Sequence, residues 1–157
     1  MQSMAKAILV SILSAVAFLL FVNFIYFFPW YMTLVVETFN LSQAAANDNY
    51  VKETYYYDAL DRIRERPVFR EKSDGVKITV LNSLGKSAVG LDDALWYADL
   101  PDADKPYRQR GDAVTVTIEA VYPLKVTLWG KEISRDLPVS FSLKTIGLKH
   151  YKDLEMD

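Results

Sequence analysis

No cysteine occurs among the 157 residues, which removes disulfides, thiolate metal sites and a cysteine nucleophile from consideration. The compartment stays open, because exported chains also do without disulfides. Histidine is nearly as scarce: His150 stands alone, lacking the second imidazole or thiolate that most transition-metal sites use, and reads as a surface residue. Charge of one sign is missing too. With 18 basic and 20 acidic residues the formal net charge is −2, so no broad positive field is available to hold a phosphate backbone, and nucleic acid is not an expected partner. The chain carries no Gly-rich phosphate loop, no G-x-S-x-G elbow and no H-E-x-x-H, the patterns that place common catalytic groups. A non-enzymatic role without a cofactor is the expectation.

The longest absence is of charge itself, from Ala7 to Val36. At about 1.5 Å per residue a helix of that length exceeds a hydrocarbon core of roughly 30 Å, so one membrane span fits, with its core at Ile8 to Phe27. Tyr26, Trp30 and Tyr31 then form an aromatic belt at the outer interface. Lys6 precedes the run, and Glu37 and Asp48 follow it; the positive-inside bias puts the amino terminus in the cytoplasm and the rest outside a cell membrane crossed once. Ala44-Ala45-Ala46 offers a site for removal of a secretory signal, but signal h-regions are only about 7 to 15 residues, and the length favours an anchor. Pro29 predicts a kink or restart of the helix. Ala7, Ser11 and Ala15 repeat every four residues as a small-xxx-small stripe, and Asn23 is the polar side chain within the span; these are the candidate helix-packing residues.

Length leaves room for one span and one small domain. Residues 1–36 read as the membrane helix and 37–67 as an amphipathic continuation of it. Leu41, Ala44, Ala45, Val51, Tyr55, Ala59, Leu60 and Ile63 recur at three- and four-residue intervals. Asp58 with Arg62 and Asp61 with Arg64 are spaced to pair across helical turns. Pro67 ends the segment, and Asn47, Asp48 and Asn49 are a candidate interruption, because such side chains compete for backbone hydrogen bonds.

Residues 68–157 change period. "GVKITVLN", "AVTVTIEAVY" and "LPVSFSLKTI" alternate Val76, Ile78 and Val80, then Val114, Val116 and Ile118, then Val139, Phe141 and Leu143 against polar neighbours, the pattern of half-buried strands. "PLKVTLWGKEIS" is a fourth candidate, with Leu124, Val126 and Leu128 facing one way and Gly130 supplying a turn, while Pro123 argues against an unbroken central strand. Residues 83–110 read as a long surface loop with a short helical turn near Asp92 to Tyr97. Asp92, Asp93, Asp99, Asp102 and Asp104 could offer oxygen ligands to calcium, but they lack the spacing and central glycine of an EF-hand loop, which favours a solvated acidic loop. The expected class is α+β: an N-terminal transmembrane helix continuing into an amphipathic one, packed on an antiparallel sheet of three to four strands.

That order of parts resembles pilins and pseudopilins. The stretch "RGDAVTVTIEAVYPLKVTLWGKEISRDLPVSFSLKTIGLKHYKDL" is similar to the end of TadE-like minor pseudopilins, through Gly111, Val114, Val116, Tyr122, Pro123, Val139 and Phe141. The resemblance implies a structural or assembly subunit of a pilus or conjugation-type secretion apparatus. Its partners would be the lipid bilayer and other pilin-like or membrane assembly subunits, copies of itself among them. One departure stands out: pilins usually carry a glycine before the apolar run and a glutamate five residues into it, whereas here no glycine precedes Gly75 and the first glutamate is Glu37. The rival expectation is a membrane-anchored module that binds an envelope partner.

Overall fold

The computed structural model describes residues 2–128 and 130–154. Helix α1 spans Gln2–Asp48, about 70 Å at 1.5 Å per residue. It holds no glycine and a single proline, so little in it opposes continuity. Of the kink or restart expected at Pro29, the restart does not occur: the helix runs through it. Proline deprives the preceding turn of one N–H donor, but Pro29 is exposed, away from the packed face, and the Thr33 hydroxyl donates to its carbonyl at 3.1 Å.

α1 continues through residue 36 without a break, as expected, but no single helix covers 37–67. Instead α1 stops at Asp48 and Asn49 takes a left-handed conformation, φ 60°, which asparagine tolerates better than most residues and which commonly terminates a helix. Strand β1, Val51–Lys52, follows, and helix α2, Glu53–Glu65, turns back along α1. Arg66 is extended (φ −65°, ψ 132°), as the residue before a proline tends to be. Of the expected apolar stripe, Leu41, Ala45, Val51, Ala59 and Ile63 are buried, whereas Tyr55 is exposed. The reversal puts two faces against each other that one straight helix would have carried apart.

Strands β2 (Lys77–Asn82), β4 (Ala113–Leu128) and β5 (Lys131–Ile146) form an antiparallel sheet in the order β2-β4-β5, and β3 (Val89–Gly90) pairs in parallel with β1. β4 takes in the segment expected to be a separate fourth strand and passes straight through Pro123. The reason is local: β2 pairs with β4 only from Val114 to Glu119, so a missing donor at Pro123 interrupts no bond to β2. Gly130, φ 75°, lies in the connection to β5, where a positive φ suits a tight hairpin. Trp129 of that expected turn lies outside the described residues.

Ile78, Val80, Val114, Val116, Ile118 and Ala120 line the inner face of the sheet and close over Trp30, Leu34, Leu41 and Ala45 of α1. Thr115, Thr117 and Glu119 alternate outward, and the Thr117 and Ser142 hydroxyls meet at 2.8 Å on that side. Residues 83–110 contain two short 3-10 turns, Ala94–Tyr97 and Asp102–Asp104. The end of this segment is not a surface loop: Lys105, Tyr107 and Arg108 are buried.

Candidate functional site

Over its first twenty or so residues α1 projects bare. Ile8, Leu13, Phe18 and Phe21 are all more than half exposed, and the most apolar stretch of the helix is unburied. It is long and apolar enough to cross a membrane, which is consistent with single-pass anchoring. Ala7, Ser11 and Ala15 are exposed here, free for contact with lipid or another helix. Asn23 extends the same four-residue series two further steps beyond Ala15 and is partly buried. Its amide donates to the Leu19 carbonyl at 3.0 Å, and its own carbonyl accepts from the Tyr122 hydroxyl at 3.5 Å. The contact with β4 is made by the Asn23 backbone, while its side chain bonds within its own helix.

From Trp30 onward the helix is clasped. Trp30 stacks on Phe69 at 4.9 Å and meets the edge of Tyr122 at 5.2 Å, while Phe27 meets Tyr122 at 5.0 Å. Glu37, 3% exposed, takes Arg62 at 3.1 Å and Arg66 at 3.6 Å. A carboxylate so placed needs cations to offset its desolvation, and α2 supplies both. Among the described residues no ion pair joins Asp58 to Arg62; the expected helical-turn pairing yields to the cross-helix one.

The far end of α1 is a polar hub. The Asn49 amide donates to the carbonyls of Arg108 (2.8 Å) and Lys149 (2.6 Å), and its oxygen accepts from the Lys149 N–H at 2.9 Å. Gly147 makes room for it, since a Cβ there would collide with the Asn49 side chain. The Tyr151 hydroxyl donates to the Asp48 carbonyl at 2.7 Å, and its ring stacks on Tyr107 at 3.9 Å. Lys105, its side chain 1% exposed, reaches Asp102 at 3.0 Å and Asp153 at 3.1 Å.

Electrostatics follow from this packing. Burial pushes the Tyr50, Tyr107 and Tyr151 phenols above their usual range, helped by nearby carboxylates, so they serve as hydrogen-bond donors at neutral pH. Burial alone would raise Asp153, but hydrogen bonds from Tyr107 and Lys105 outweigh it and hold the carboxyl below its usual value. Burial alone would lower Lys105, and its bonds to Asp102 and Asp153 raise it instead.

Beside the hub lies an open cleft of about 460 Å³, lined by Tyr50, Asp92, Asp93, Leu95, Lys149 and Tyr151, among others. Three of its titratable groups are engaged in the fold. Asp92 accepts from the Thr54 N–H and hydroxyl at 3.2 and 2.8 Å, Asp93 caps Leu95 at 3.0 Å, and Lys149 pairs with Asp48 at 3.4 Å. Among the described residues, no three histidine or carboxylate side chains come together as metal ligands. His150 is exposed, with its Nδ1 3.0 Å from the Gln109 side chain. The hub is what sequence reasoning missed. Asn49 was visible there only as a helix interruption, and nothing in "TIGLKHY" tied Gly147 to it.

Compared with known proteins, the chain matches no family model, and no curated protein or solved structure is significantly similar to it.

Proposed function

We propose that this chain is a non-enzymatic, single-pass structural or assembly subunit, resembling TadE-like minor pseudopilins of a pilus or related secretion apparatus. One observation carries the reading: half of a continuous helix is packed into a small α+β head, and the other half stands out with apolar side chains exposed all around it. A helix apolar on every face needs an apolar solvent. Lipid fills that role before assembly, and neighbouring helices fill it afterwards, joined by shape fit at the Ala7, Ser11, Ala15 stripe because lipid is as apolar as leucine. Lys6 orients the amino terminus to the cytoplasm and the head to the outside. Without the glycine and early glutamate of the broader pilin group, recruitment rests on contacts other than that pair.

The test is self-association of Ser11→Leu/Ala15→Leu in vesicles, measured by energy transfer between labelled copies. Lost transfer with an unchanged unfolding transition of the head supports assembly through the stripe; unchanged transfer sinks it. The second reading, an anchored module that binds an envelope partner, is favoured by Leu95, which lines the cleft, and its neighbour Trp96, 78% and 73% exposed. Paired exposed apolar residues of this kind commonly mark contact surfaces. Leu95→Ser/Trp96→Ser would abolish partner capture under that reading and leave self-association intact.

A further inference from the structure

We infer that the outer end of the β4–β5 ribbon is a second membrane-contacting element, seated in the outer leaflet beside α1. The inference rests on the single-pass reading and adds a lipid-binding surface to it. Its first support is direction. At the base of the ribbon the Leu148 N–H donates to the Ala46 carbonyl at 2.8 Å. Farther along, Phe141 meets Tyr31 at 6.2 Å, and farther still Tyr122 meets Phe27 and the Asn23 carbonyl. The ribbon therefore descends α1 toward its bare half.

Depth is the second support. A hydrocarbon core of roughly 30 Å takes about twenty helical residues, and counted from Ala7, after the charge of Lys6, it reaches the neighbourhood of Phe27. Tyr122 thus stands at the outer edge of the lipid. Beyond it the register continues from Pro123↔Asp136 to Leu128↔Lys131, roughly 20 Å of further ribbon at about 3.3 Å per residue. A ribbon starting at that depth meets the outer leaflet, and because β2 pairs with β4 only as far as Glu119, its open edges keep it along the headgroup interface, where water can still bond them, rather than sunk in hydrocarbon.

The third support is the division of its faces. Residues directly opposed in an antiparallel pair share a face. Tyr122 with Leu137, Leu124 with Arg135, and Val126 with Ile133 carry on the α1-facing side. Pro123 with Asp136, Lys125 with Ser134, and Thr127 with Glu132 form the other. Ile133 is 54% exposed and Leu137 39%, an apolar continuation of the core face with no core left to cover it. The polar face is pinned by Lys125–Glu71 at 2.7 Å and Lys72–Asp136 at 2.8 Å, which fixes which side looks toward the helix.

Charge chooses the occupant. Arg135 and Lys131 lie on the apolar side, where long cationic side chains can rest their stems on apolar surface and reach lipid phosphates. The helix of a second copy offers no carboxylate between Ala7 and Val36 to match them.

Because the chain has no cysteine, single cysteines can be placed without background. The full chain carrying Leu13→Cys, Val126→Cys, Ile133→Cys or Ser134→Cys is labelled with an environment-sensitive fluorophore. Each is reconstituted into vesicles of phosphatidylcholine and phosphatidylglycerol, with or without lipids bearing a shallow or a deep nitroxide. The expected result is a blue shift at 126 and 133 with loss of emission to the shallow nitroxide, a water-like label at 134, and loss at 13 to the deep one. Water-like labels at 126 and 133 with 13 still quenched overturn the ribbon inference and leave the span intact. Labels at 126 and 133 that are shielded from water yet unquenched by either nitroxide, and that depend on protein-to-lipid ratio, show a protein cover and overturn it as well. A label at 13 that no lipid quenches removes the single-pass reading itself.

Discussion

On one side of Pro29, α1 leaves Ile12, Leu13 and Phe18 at 54%, 69% and 65% exposure; on the other it buries Trp30, Leu34 and Leu41 at 2% or less. The more uniformly apolar half is the exposed one. In the buried half polar residues interleave, and they are placed: Glu37 meets Arg62, and the Thr38 hydroxyl donates to the Leu34 carbonyl at 2.7 Å. Hydrophobicity alone therefore does not say where a helix packs. A face that packs in protein alternates with residues that need particular partners, whereas a helix made for lipid can be apolar all around.

Trp30→Ala tests this division most strongly. It should cost the head about 3–5 kcal/mol, as loss of a fully buried aromatic does, whereas Phe18→Ala should change head stability by less than about 0.5 kcal/mol. Denaturant titration in detergent reads both, and equal losses would break the comparison. Asn49→Gly keeps the left-handed backbone accessible but deletes the hub's side-chain hydrogen bonds, for a loss of about 2–3 kcal/mol. Hydrogen exchange should then show the segment around Lys149 opening while β2 and β4 stay protected. A double-mutant cycle over Glu37→Gln and Arg62→Gln should give a coupling of about 1 kcal/mol, since the carboxylate is buried but the guanidinium is half exposed. A coupling of zero would mean α2 is held by its apolar face alone.

The hub should also give the head a pH window that the bare helix lacks. Its tyrosines have raised pKa values, so the folded head keeps protons that the unfolded chain releases. That stability is intact below about pH 10, the ordinary phenol value, and declines as pH rises. Asp153 has a lowered pKa, so its contribution is present above about pH 4, the ordinary aspartate value, and is lost as pH falls further. Tyr151→Phe should narrow the alkaline decline in a thermal-unfolding series; a profile identical to the parent's would detach that decline from the hub.

The alternating strands were legible because period two survives in Val76 to Val80 and Val114 to Ile118, and the apolar helix was legible from its missing charges. The end of α1 was legible as the candidate interruption at Asn47, Asp48 and Asn49; the reversal after it was not, since Leu41, Ala45, Ala59 and Ile63 keep helical spacing across it. Pro123 misled because its cost depends on whether a neighbour strand needs that donor, and register is set in three dimensions. Arg62 misled similarly: an aspartate one turn away is visible in sequence, while a buried glutamate on another helix is not. Of the candidate packing residues, Ala7, Ser11 and Ala15 lie on the exposed part of the helix, and the Asn23 side chain bonds to the Leu19 carbonyl of the same helix.

The joint between Asp48–Asn49 and Lys149–Tyr151 spans sequence separations of 100 and more. Contacts of such high order must wait for nearly all the intervening chain and pay its loop-closure entropy first. During synthesis the apolar helix is therefore complete while the head is still an open chain. The head locks only when its last strand and tail arrive, so its closure is timed by delivery of the carboxyl-terminal segment.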